Sequence, residues 1–301
     1  MGDTTSNRAF VLYGVGQSYI DSCETLALKL IEYTNQKVLV FYANGTSTVT
    51  HPNLHTVELD STLDIFTPSD NEVYQLNKFQ SVKPYICLEA LKYYNELIYI
   101  DSDIQVTPHI KNAFNLLPEV EYYPIVNRYQ WHYMLYGGKP WVGEYILSRL
   151  NNPYQGIPNV CTNFLVFNKK CEYFLHKWYS LCQKLLPVFA DQFDTYKGRP
   201  HEEAIANALL WHFEASKYSE CNFSWIVDSE GAKETFKYYN HPFEVDPHPG
   251  YPSHFLLQNS HGGGFGNSPF DENNLWGFHC VKDPNEVDII YTSIEKHYNY
   301  E

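Results

Sequence analysis

The sequence predicts an α/β fold, with a sheet of mainly parallel strands flanked by helices. Two observations lead to this class. Strand-like apolar runs alternate with helical stretches along the first third of the chain, and each run is apolar over nearly its whole length. Strands buried on both faces have this composition, and a helix between two of them forms a βαβ crossover. With 301 residues, 44% of them hydrophobic, the chain can build a sizeable core, and we expect one domain.

The first third of the chain gives two βαβ passages. Helical stretches are marked by apolar residues at helical spacing or by a proline in the first turn, and strands by continuous apolar runs that end at turn residues. The predicted elements are a strand over 9–15, a helix over 18–34, strands over 37–45 and 54–60, and a helix over 81–95 that leads into the run ELIYIDSD.

Later segments are less regular. Residues 118–160 are rich in Tyr, Pro, Gly and Asn, which is typical of a binding loop or excursion. The core resumes over 163–186 as a strand followed by a helix, and 200–213 is a helix with acids in its first turn, where the helix dipole favours them. Residues 243–270 and 274–299 are predicted as strands and irregular segments before a terminal helix.

Charge and cysteine usage exclude several partners. The net charge is −14, from 35 acidic and 21 basic residues, and no run of Lys and Arg is present. Nucleic acid and anionic membrane surfaces require clustered positive charge, so neither is expected as a partner. No apolar window is long enough for a transmembrane segment, and the seven cysteines lack CxxC pairs. We therefore expect a cytoplasmic protein with reduced thiols.

An apolar strand that ends in two acids is the strongest functional signal. Asp101 and Asp103 follow the run LIYI, and residues two apart on an extended strand face the same side. Ligands of parallel α/β sheets bind outside the carboxyl ends of the strands. Adjacent carboxylates repel unless a cation neutralises them, and Mn²⁺ or Mg²⁺ prefers oxygen ligands that it shares with substrate phosphates. The alternative is that Asp101 caps the loop and Asp103 is solvated.

The segment LKYYNELIYIDSDIQV resembles the DxD segment of GT-A glycosyltransferases, whose aspartate pair holds a divalent cation on the nucleotide diphosphate of the sugar donor. The resemblance implies a GT-A-type, Rossmann-like nucleotide-binding fold, with a mixed sheet flanked by helices in a single domain over residues 1–301. About residues 8–117 would bind the nucleotide sugar. Residues 118–301, with an aromatic-rich excursion, would form the acceptor-binding and catalytic half.

The order of motifs from about residue 10 to 270 is similar to that of the glycogenin-like and lipopolysaccharide galactosyltransferase-like group. Lys83 stands where that group has a Lys or Arg before the DxD strand. The run TNFLVFN resembles its strand of the form N-x-G-hydrophobic-N, with Asn163 and Asn168 matching and Phe164 in place of the glycine. The resemblance implies that Lys83 lies in the donor site and Asn163 in the catalytic site.

A second motif of this group supplies the candidate catalytic acids. The run EEAIAN resembles its DQDxxN helix start, which places Glu202 on the catalytic-site Asp, Glu203 on the Gln and Asn207 on the Asn. A carboxylate near the anomeric carbon either deprotonates the acceptor hydroxyl or stabilises an oxocarbenium-like transition state. Glu202 is the first candidate and Glu203 the alternative. A purely structural interpretation, an acidic helix start with favourable dipole placement, also fits.

The last motif of the group, HxxGxxKPW, supplies a metal-binding His and a phosphate-binding Lys. HGGGFGNSPF matches it through His261 and Gly264, with one residue inserted and the Lys missing. GFHCVKDP offers His279 with Lys282, and HYMLYGGKPW offers His132 in the wrong order along the chain. His261 is ranked first as the third metal ligand after Asp101 and Asp103, His279 second and His132 third.

The loop YGVGQSY after the first strand is the candidate nucleoside site. Gly14 and Gly16 allow a close approach of the backbone, and Tyr13 or Tyr19 could stack on the base. Tight turning after the strand explains the glycines equally well, and no dinucleotide-binding fingerprint is present. The candidate donor-site residues are together Tyr13, Gly14, Tyr19, Lys83, Asp101, Ser102 and Asp103.

The aromatic-rich stretch 122–154 is the candidate acceptor site, because aromatic faces stack on sugar rings; tyrosine-rich loops also often merely pack. The sequence thus predicts a metal-dependent glycosyltransferase that moves a sugar from a nucleotide-diphosphate sugar, UDP-linked by preference, to a saccharide or glycan acceptor. Resemblance to the glycogenin-like group suggests retention of anomeric configuration. Two alternatives stay open: a non-catalytic nucleotide-sugar or glycan-binding relative, and a DxD phosphohydrolase of the haloacid dehalogenase type.

Overall fold

The structure is a computed structural model. For the strands after residue 213 only the backbone and its pairing are described. The residues that it describes are 7–60, 62–63, 66, 75, 78–128, 160–185, 202–213, 218–219, 223–228, 255–259 and 276–279.

A seven-stranded mixed sheet lies at the centre of the fold. Its strands are β1 (Arg8–Val15), β2 (Lys37–Ala43), β3 (Leu54–Glu58), β4 (Glu96–Ile100), β6 (Ile125–Arg128), β7 (Val160–Asn168) and β8 (Tyr218–Ser219). They lie in the order β3-β2-β1-β4-β7-β6-β8. The first four are parallel, and β7 is antiparallel to both of its neighbours. The predicted α/β class with a mixed sheet is therefore confirmed.

A second, four-stranded sheet begins directly after the DxD segment. Its strands are β5 (Ile104–Val106), β9 (Phe223–Asp228), β10 (Phe255–Asn259) and β11 (Gly277–His279). They lie in the order β10-β9-β11-β5, and β11 is antiparallel to β5. The chain that leaves the DxD segment therefore pairs with a strand contributed from near the carboxyl terminus.

Two helices provide the crossovers of the parallel strands. Helix α1 (Gln17–Thr34) begins after Gly16, whose φ is +89°, and is followed by Asn35, which has the left-handed conformation. Helix α2 (Lys83–Ala90) begins with Lys83 and Pro84, because proline lacks the N–H that would be unpaired in a first turn. It is shorter than the stretch 81–95 predicted from the sequence, since the chain turns after Leu91.

The second half of the chain contributes further helices. Helix α3 (Glu172–Leu185) packs against α2, and helix α4 (Glu202–His212) packs against α3 and β7. A 3₁₀ helix over Pro108–Glu119 follows β5, and a short one over Lys169–Cys171 joins β7 to α3. None of the helices in the described part of the chain is long and apolar enough to cross a membrane.

The core lies on both faces of the larger sheet. The central strands β1, β2 and β4 are buried along nearly their whole length. Burial of each large apolar side chain stabilises the fold by about 1.5–3 kcal/mol. The largest fully buried side chains are Trp178, Tyr99, Phe10, Phe41, Phe164, Phe167, Phe174 and Leu12.

The region after Asp103 is more regular than the sequence predicted. Strand β6 lies inside the stretch 118–160 that was predicted as a loop excursion, and the 3₁₀ helix over Pro108–Glu119 was not predicted. Residues 129–159 and the predicted terminal helix lie outside the described residues.

Candidate functional site

The candidate site lies where the strand order of the parallel sheet reverses. Strand β1 pairs with β2 on one side and with β4 on the other. In such sheets, ligands bind outside the carboxyl ends of the two strands at this point. The turn at Gly16 follows β1, and the segment Asp101–Asp103 follows β4. The two candidate donor-site segments therefore meet at one edge of the sheet.

Asp101 is held by three neighbouring groups. The Tyr99 hydroxyl donates a hydrogen bond to its Oδ1. The Lys83 ammonium lies 3.1 Å from Oδ1 and 3.3 Å from Oδ2. The Asp101 backbone N–H donates to the Asn163 carbonyl oxygen at 2.9 Å, which extends the pairing of β4 with β7. The Asp101 side chain is nevertheless 26% exposed, so it is both fixed and open to a ligand.

Lys83 connects Asp101 to helix α4. Its ammonium lies 3.0 Å from the Glu202 Oε1, 3.0 Å from the Thr162 carbonyl oxygen and 3.2 Å from the Thr162 hydroxyl. Only 4% of Lys83 is exposed. A buried ammonium is tolerated when acceptors and opposite charges surround it, and here two carboxylates and two neutral oxygens do so.

The two candidate catalytic acids are buried at the start of α4. The Thr162 hydroxyl donates to Glu202 Oε1 at 3.0 Å, and the Thr162 backbone N–H donates to Glu203 Oε2 at 3.0 Å. The Trp178 indole N–H donates to the Glu202 carbonyl oxygen at 2.8 Å, which fixes the helix start on α3. The Asn207 amide donates to the Glu203 carbonyl oxygen at 2.8 Å. Both acids are therefore oriented toward strand β7.

The two asparagines of the TNFLVFN run have different environments. Asn163 is 1% exposed and lies at the Asp101 end of β7, where its carbonyl oxygen accepts the Asp101 N–H. Asn168 lies at the opposite end of the strand. Its Oδ1 accepts from the Lys170 backbone N–H at 2.9 Å, and it caps the short 3₁₀ helix. Asn163 is thus next to the candidate site, and Asn168 has a structural role.

The middle residue of the DxD segment contacts helix α1. The Cys23 thiol of helix α1 is fully buried, and Ser102 lies close enough to affect its pKa. Burial raises the pKa of the Cys23 thiol, and Ser102 acts in the opposite direction. The thiol is therefore protonated at neutral pH.

The half-buried Tyr13 and the fully buried Tyr99 pack together next to Asp101. Their rings are 6.1 Å apart, and the Tyr13 hydroxyl donates to the Phe79 carbonyl oxygen at 3.2 Å. Burial raises the pKa of both Tyr13 and Tyr99 above the ordinary value. Both phenols are therefore protonated at neutral pH, and Tyr99 acts as a donor to Asp101. Tyr13, a candidate for stacking on the base, lies in β1 and packs against Tyr99.

Gly14 and Gly16, at the end of β1, have different structural roles. A Cβ on Gly14 would lie 2.7 Å from the Tyr19 carbonyl oxygen, so Gly14 allows β1 and α1 to pack closely. Gly16 has φ +89° and open space around the position of a Cβ. Tyr19 is 53% exposed at the same edge. Among the predicted nucleoside-site residues, Tyr19 is the most exposed, and Gly16 and Tyr13 are half-buried.

Of the three candidate histidines, only His279 lies within the described residues. His261 and His132 lie outside the described residues. The backbone of His279 pairs with Ile104 in the β11–β5 ladder, directly after Asp103. Among the described side chains, no group of three or more His, Cys, Asp or Glu forms a metal-binding cluster.

The donor set at the DxD segment fits a hard divalent cation. Carboxylate oxygens are the preferred ligands of Mn²⁺ and Mg²⁺, and the Asp101 carboxylate is partly exposed at this edge of the sheet. Asp101 and Asp103 would hold such an ion.

Sequence reasoning missed two members of this network. Thr162 contacts Lys83, Glu202 and Glu203, but it becomes visible only when β7 is paired with β4. Tyr99 lies two residues before Asp101, so strand alternation alone could have placed both on one face.

Three solved structures with a similar fold are glycosyltransferases. The galactosyltransferase LgtC, in complex with donor and acceptor sugar analogs, has a TM-score of 0.47 and 13% identity over 70% of this chain and 73% of its own. A glycosyltransferase involved in glycosylation of the major capsid of PBCV-1 has a TM-score of 0.40 and 11% identity over 76% and 89%. Mouse xyloside xylosyltransferase 1, apo form, has a TM-score of 0.43 and 8% identity over 79% and 94%.

No protein-family model matches the chain, and no curated protein matches it. The resemblance to glycosyltransferases expected from the sequence recurs in the three solved structures as a likeness of fold.

Proposed function

We propose that the protein is a metal-dependent glycosyltransferase that moves a sugar from a nucleotide-diphosphate sugar, UDP-linked by preference, to a saccharide or glycan acceptor with retention. One observation carries the proposal. The buried Lys83 ammonium lies 3.1 Å from Asp101 of the DxD pair and 3.0 Å from Glu202 of the candidate catalytic helix. A cation-binding carboxylate and a buried acid thus share one site outside the carboxyl ends of β1 and β4.

Asp101 and Asp103 are the proposed cation ligands. A divalent cation held there would supply Lewis acidity toward the leaving diphosphate. Tyr99 and Lys83 orient Asp101 through the hydrogen bond and ion pair described above. Since both partners are buried, Asp101 keeps its position before any ligand arrives.

Glu202 is the proposed catalytic acid or base, with Glu203 as the alternative. Support comes from its fixed orientation, because Thr162 and Lys83 both bind its Oε1. A carboxylate fixed in this way can hold a proton or face a developing positive charge without reorganisation. Glu203 is oriented by the Thr162 N–H. Asn163 is the next residue after Thr162 along β7.

His279 is the proposed third ligand, although the sequence ranks His261 first. The support is the register of β11, which places His279 opposite Ile104. Residues opposite each other in an antiparallel pair have Cα atoms about 4.5–5.5 Å apart. Position 279 is therefore a backbone neighbour of the residue that follows Asp103.

The remaining substrate contacts are proposed from exposure. Tyr19 has a ring surface for the base, and the backbone at Gly16 can approach the nucleoside. The acceptor would lie along the stretch 122–154, of which Tyr122 is 70% exposed. A saccharide ring can stack on such a surface.

The first test is calorimetric titration with UDP, with and without Mn²⁺, on the wild type and on Asp103→Ala. We expect binding that depends on Mn²⁺ and is lost in the variant. Glu96→Ala is a matched control, because it removes one exposed carboxylate from the opposite end of strand β4. UDP binding that persists in Asp103→Ala would contradict the proposed cation site.

Product analysis with UDP-sugars separates the alternatives. A transferase releases UDP and moves the sugar to an acceptor or to water. A phosphohydrolase would release inorganic phosphate, and a binding relative would bind UDP with Mn²⁺ without releasing any product. Either of the last two results would overturn the proposed transfer reaction.

A further inference from the structure

The Lys83 ammonium neutralises Asp101 in the absence of any other cation. It lies within 3.3 Å of both Asp101 carboxylate oxygens, so no oxygen of this carboxylate is remote from it. Any cation held by Asp101 would therefore be a close neighbour of a positive charge. Like charges at such separations oppose each other strongly where burial reduces solvent screening.

Lys83 cannot simply leave when a cation arrives. Its side chain is 5% exposed, and the Thr162 carbonyl oxygen and hydroxyl bind the ammonium from the side of strand β7. Glu202 offers a second carboxylate at 3.0 Å. The ammonium therefore stays in the site, and its charge is divided between Asp101 and Glu202.

We propose that Lys83 is a counter-ion shared by Asp101 and Glu202, and that it holds the affinity of the DxD pair for a free divalent cation low. The inference rests on the proposed function of the site. Tight cation binding then requires the diphosphate of the nucleotide, which brings negative charge and further oxygen ligands. By linkage, the cation raises the affinity for the nucleotide by the same factor.

The test measures binding of Mn²⁺ alone, from the electron paramagnetic resonance signal of the free ion, to the wild type, Lys83→Met and Lys83→Arg. We expect Lys83→Met to bind Mn²⁺ about tenfold more tightly than the wild type, because the competing charge is gone. Lys83→Arg keeps the charge and should resemble the wild type. Addition of UDP should tighten Mn²⁺ binding more in the wild type than in Lys83→Met.

Lys92→Met is the matched control. Lys92 follows helix α2, is 66% exposed and pairs with Glu89, so the variant removes an equal charge outside the site. It should bind Mn²⁺ as the wild type does. Mn²⁺ affinity in Lys83→Met that is equal to or lower than that of the wild type, or absent in every variant, would overturn the inference.

A second pair of variants tests the inference in case Lys83→Met does not fold. Lys83→Met leaves Glu202 buried without its ammonium, which can unfold the protein. The double variant Lys83→Met/Glu202→Gln removes both charges, and it is compared with Glu202→Gln alone. We again expect about tenfold tighter Mn²⁺ binding when the ammonium is absent; no difference would refute the inference.

The two hypotheses fail in different experiments. A wild type that does not bind UDP in the presence of Mn²⁺ contradicts the proposed function. Equal affinities of wild type and Lys83→Met for Mn²⁺ alone, with UDP binding intact, contradict only the shared counter-ion.

Discussion

Glu202 differs from an ordinary acid at a helix start. Acids placed there for the helix dipole lie at the surface, where water solvates them. Glu202 is instead 4% exposed, and its Oε1 accepts from the Thr162 hydroxyl and pairs with Lys83. The cost of burying a carboxylate is several kcal/mol before compensation. Burial of this kind supports a functional role over the dipole interpretation.

Glu202→Gln tests this role in turnover. We expect the rate of sugar transfer or donor hydrolysis to fall by about 10²–10⁴, because a positioned acid or base is lost. UDP binding in the presence of Mn²⁺ should be retained. Glu172→Gln is the control, since Glu172 is also an acid in a first helical turn and should leave the rate unchanged. A loss of less than about threefold in Glu202→Gln would remove the residue from the mechanism.

The DxD pair could be predicted from the sequence because its signal is local. An apolar run, two acids two residues apart and a position in a βαβ series all lie within one short segment. Thr162 gives no such signal, because a threonine in a strand is ordinary. Its role arises only from the antiparallel pairing that brings the end of β7 to Asp101. The contacts of Lys83 with Glu202 arise in the same way, through tertiary packing.

At the scale of elements, the β1–α1 junction depends on close packing. The backbone of α1 approaches β1 so closely that a Cβ on Gly14 would overlap the Tyr19 carbonyl oxygen at 2.7 Å. The following loop is fixed as well. The Gln17 side chain accepts from the Thr46 N–H at 3.0 Å, and the Glu24 carboxylate accepts from the Thr48 N–H at 2.8 Å. Helix α1 thereby positions both loops at this edge of the sheet.

Gly14→Ala tests the packing. We expect the free energy of unfolding to fall by about 1–3 kcal/mol, because the methyl group meets backbone that cannot rotate away. Ser18→Ala, an exposed change in the first turn of the same helix, should alter it by less than about 0.5 kcal/mol. Urea unfolding gives both values. A Gly14→Ala protein as stable as the wild type would show that strand and helix can separate without cost.

Elements with a strong apolar period were predicted best. The strands β1, β2 and β4 and the helix α1 follow their apolar patterns within a few residues. Strand β6 was missed because only four residues pair there, within a stretch dominated by turn-forming residues. The 3₁₀ helix over Pro108–Glu119 was missed because prolines near both of its ends suggest a loop. Short elements stabilised by neighbours leave little local signal.

For the molecule as a whole, the buried thiols cause the free energy of unfolding to fall at alkaline pH. Burial raises the pKa of Cys171 from 9.0 to about 11, and it also raises the pKa of Cys23, Cys87 and Cys182. Folding favours the protonated thiol, so the stabilisation is complete below pH 9. It is lost as pH rises from 9 toward 11 for Cys171, because the unfolded chain then ionises first.

Cys171→Ala isolates one of these thiols. Between pH 8 and pH 11 the wild type should lose on the order of 2 kcal/mol more unfolding free energy than Cys171→Ala. Urea unfolding under reducing conditions, repeated at each pH, measures the difference. Parallel loss of stability in the two proteins would mean that Cys171 ionises alike in the folded and unfolded states.

The buried ammonium of Lys83 also bears on how the chain is made. Its acceptors at Thr162 are 79 positions away in sequence, and Glu202 follows later still. During synthesis, the amino-terminal strands emerge from the ribosome before any of these oxygens exist. Lys83 must then stay hydrated, since burying an ammonium without acceptors is costly. The burial of Lys83 therefore has to wait until β7 and α4 pack over it, and a nascent chain cut before residue 202 should lack a finished site.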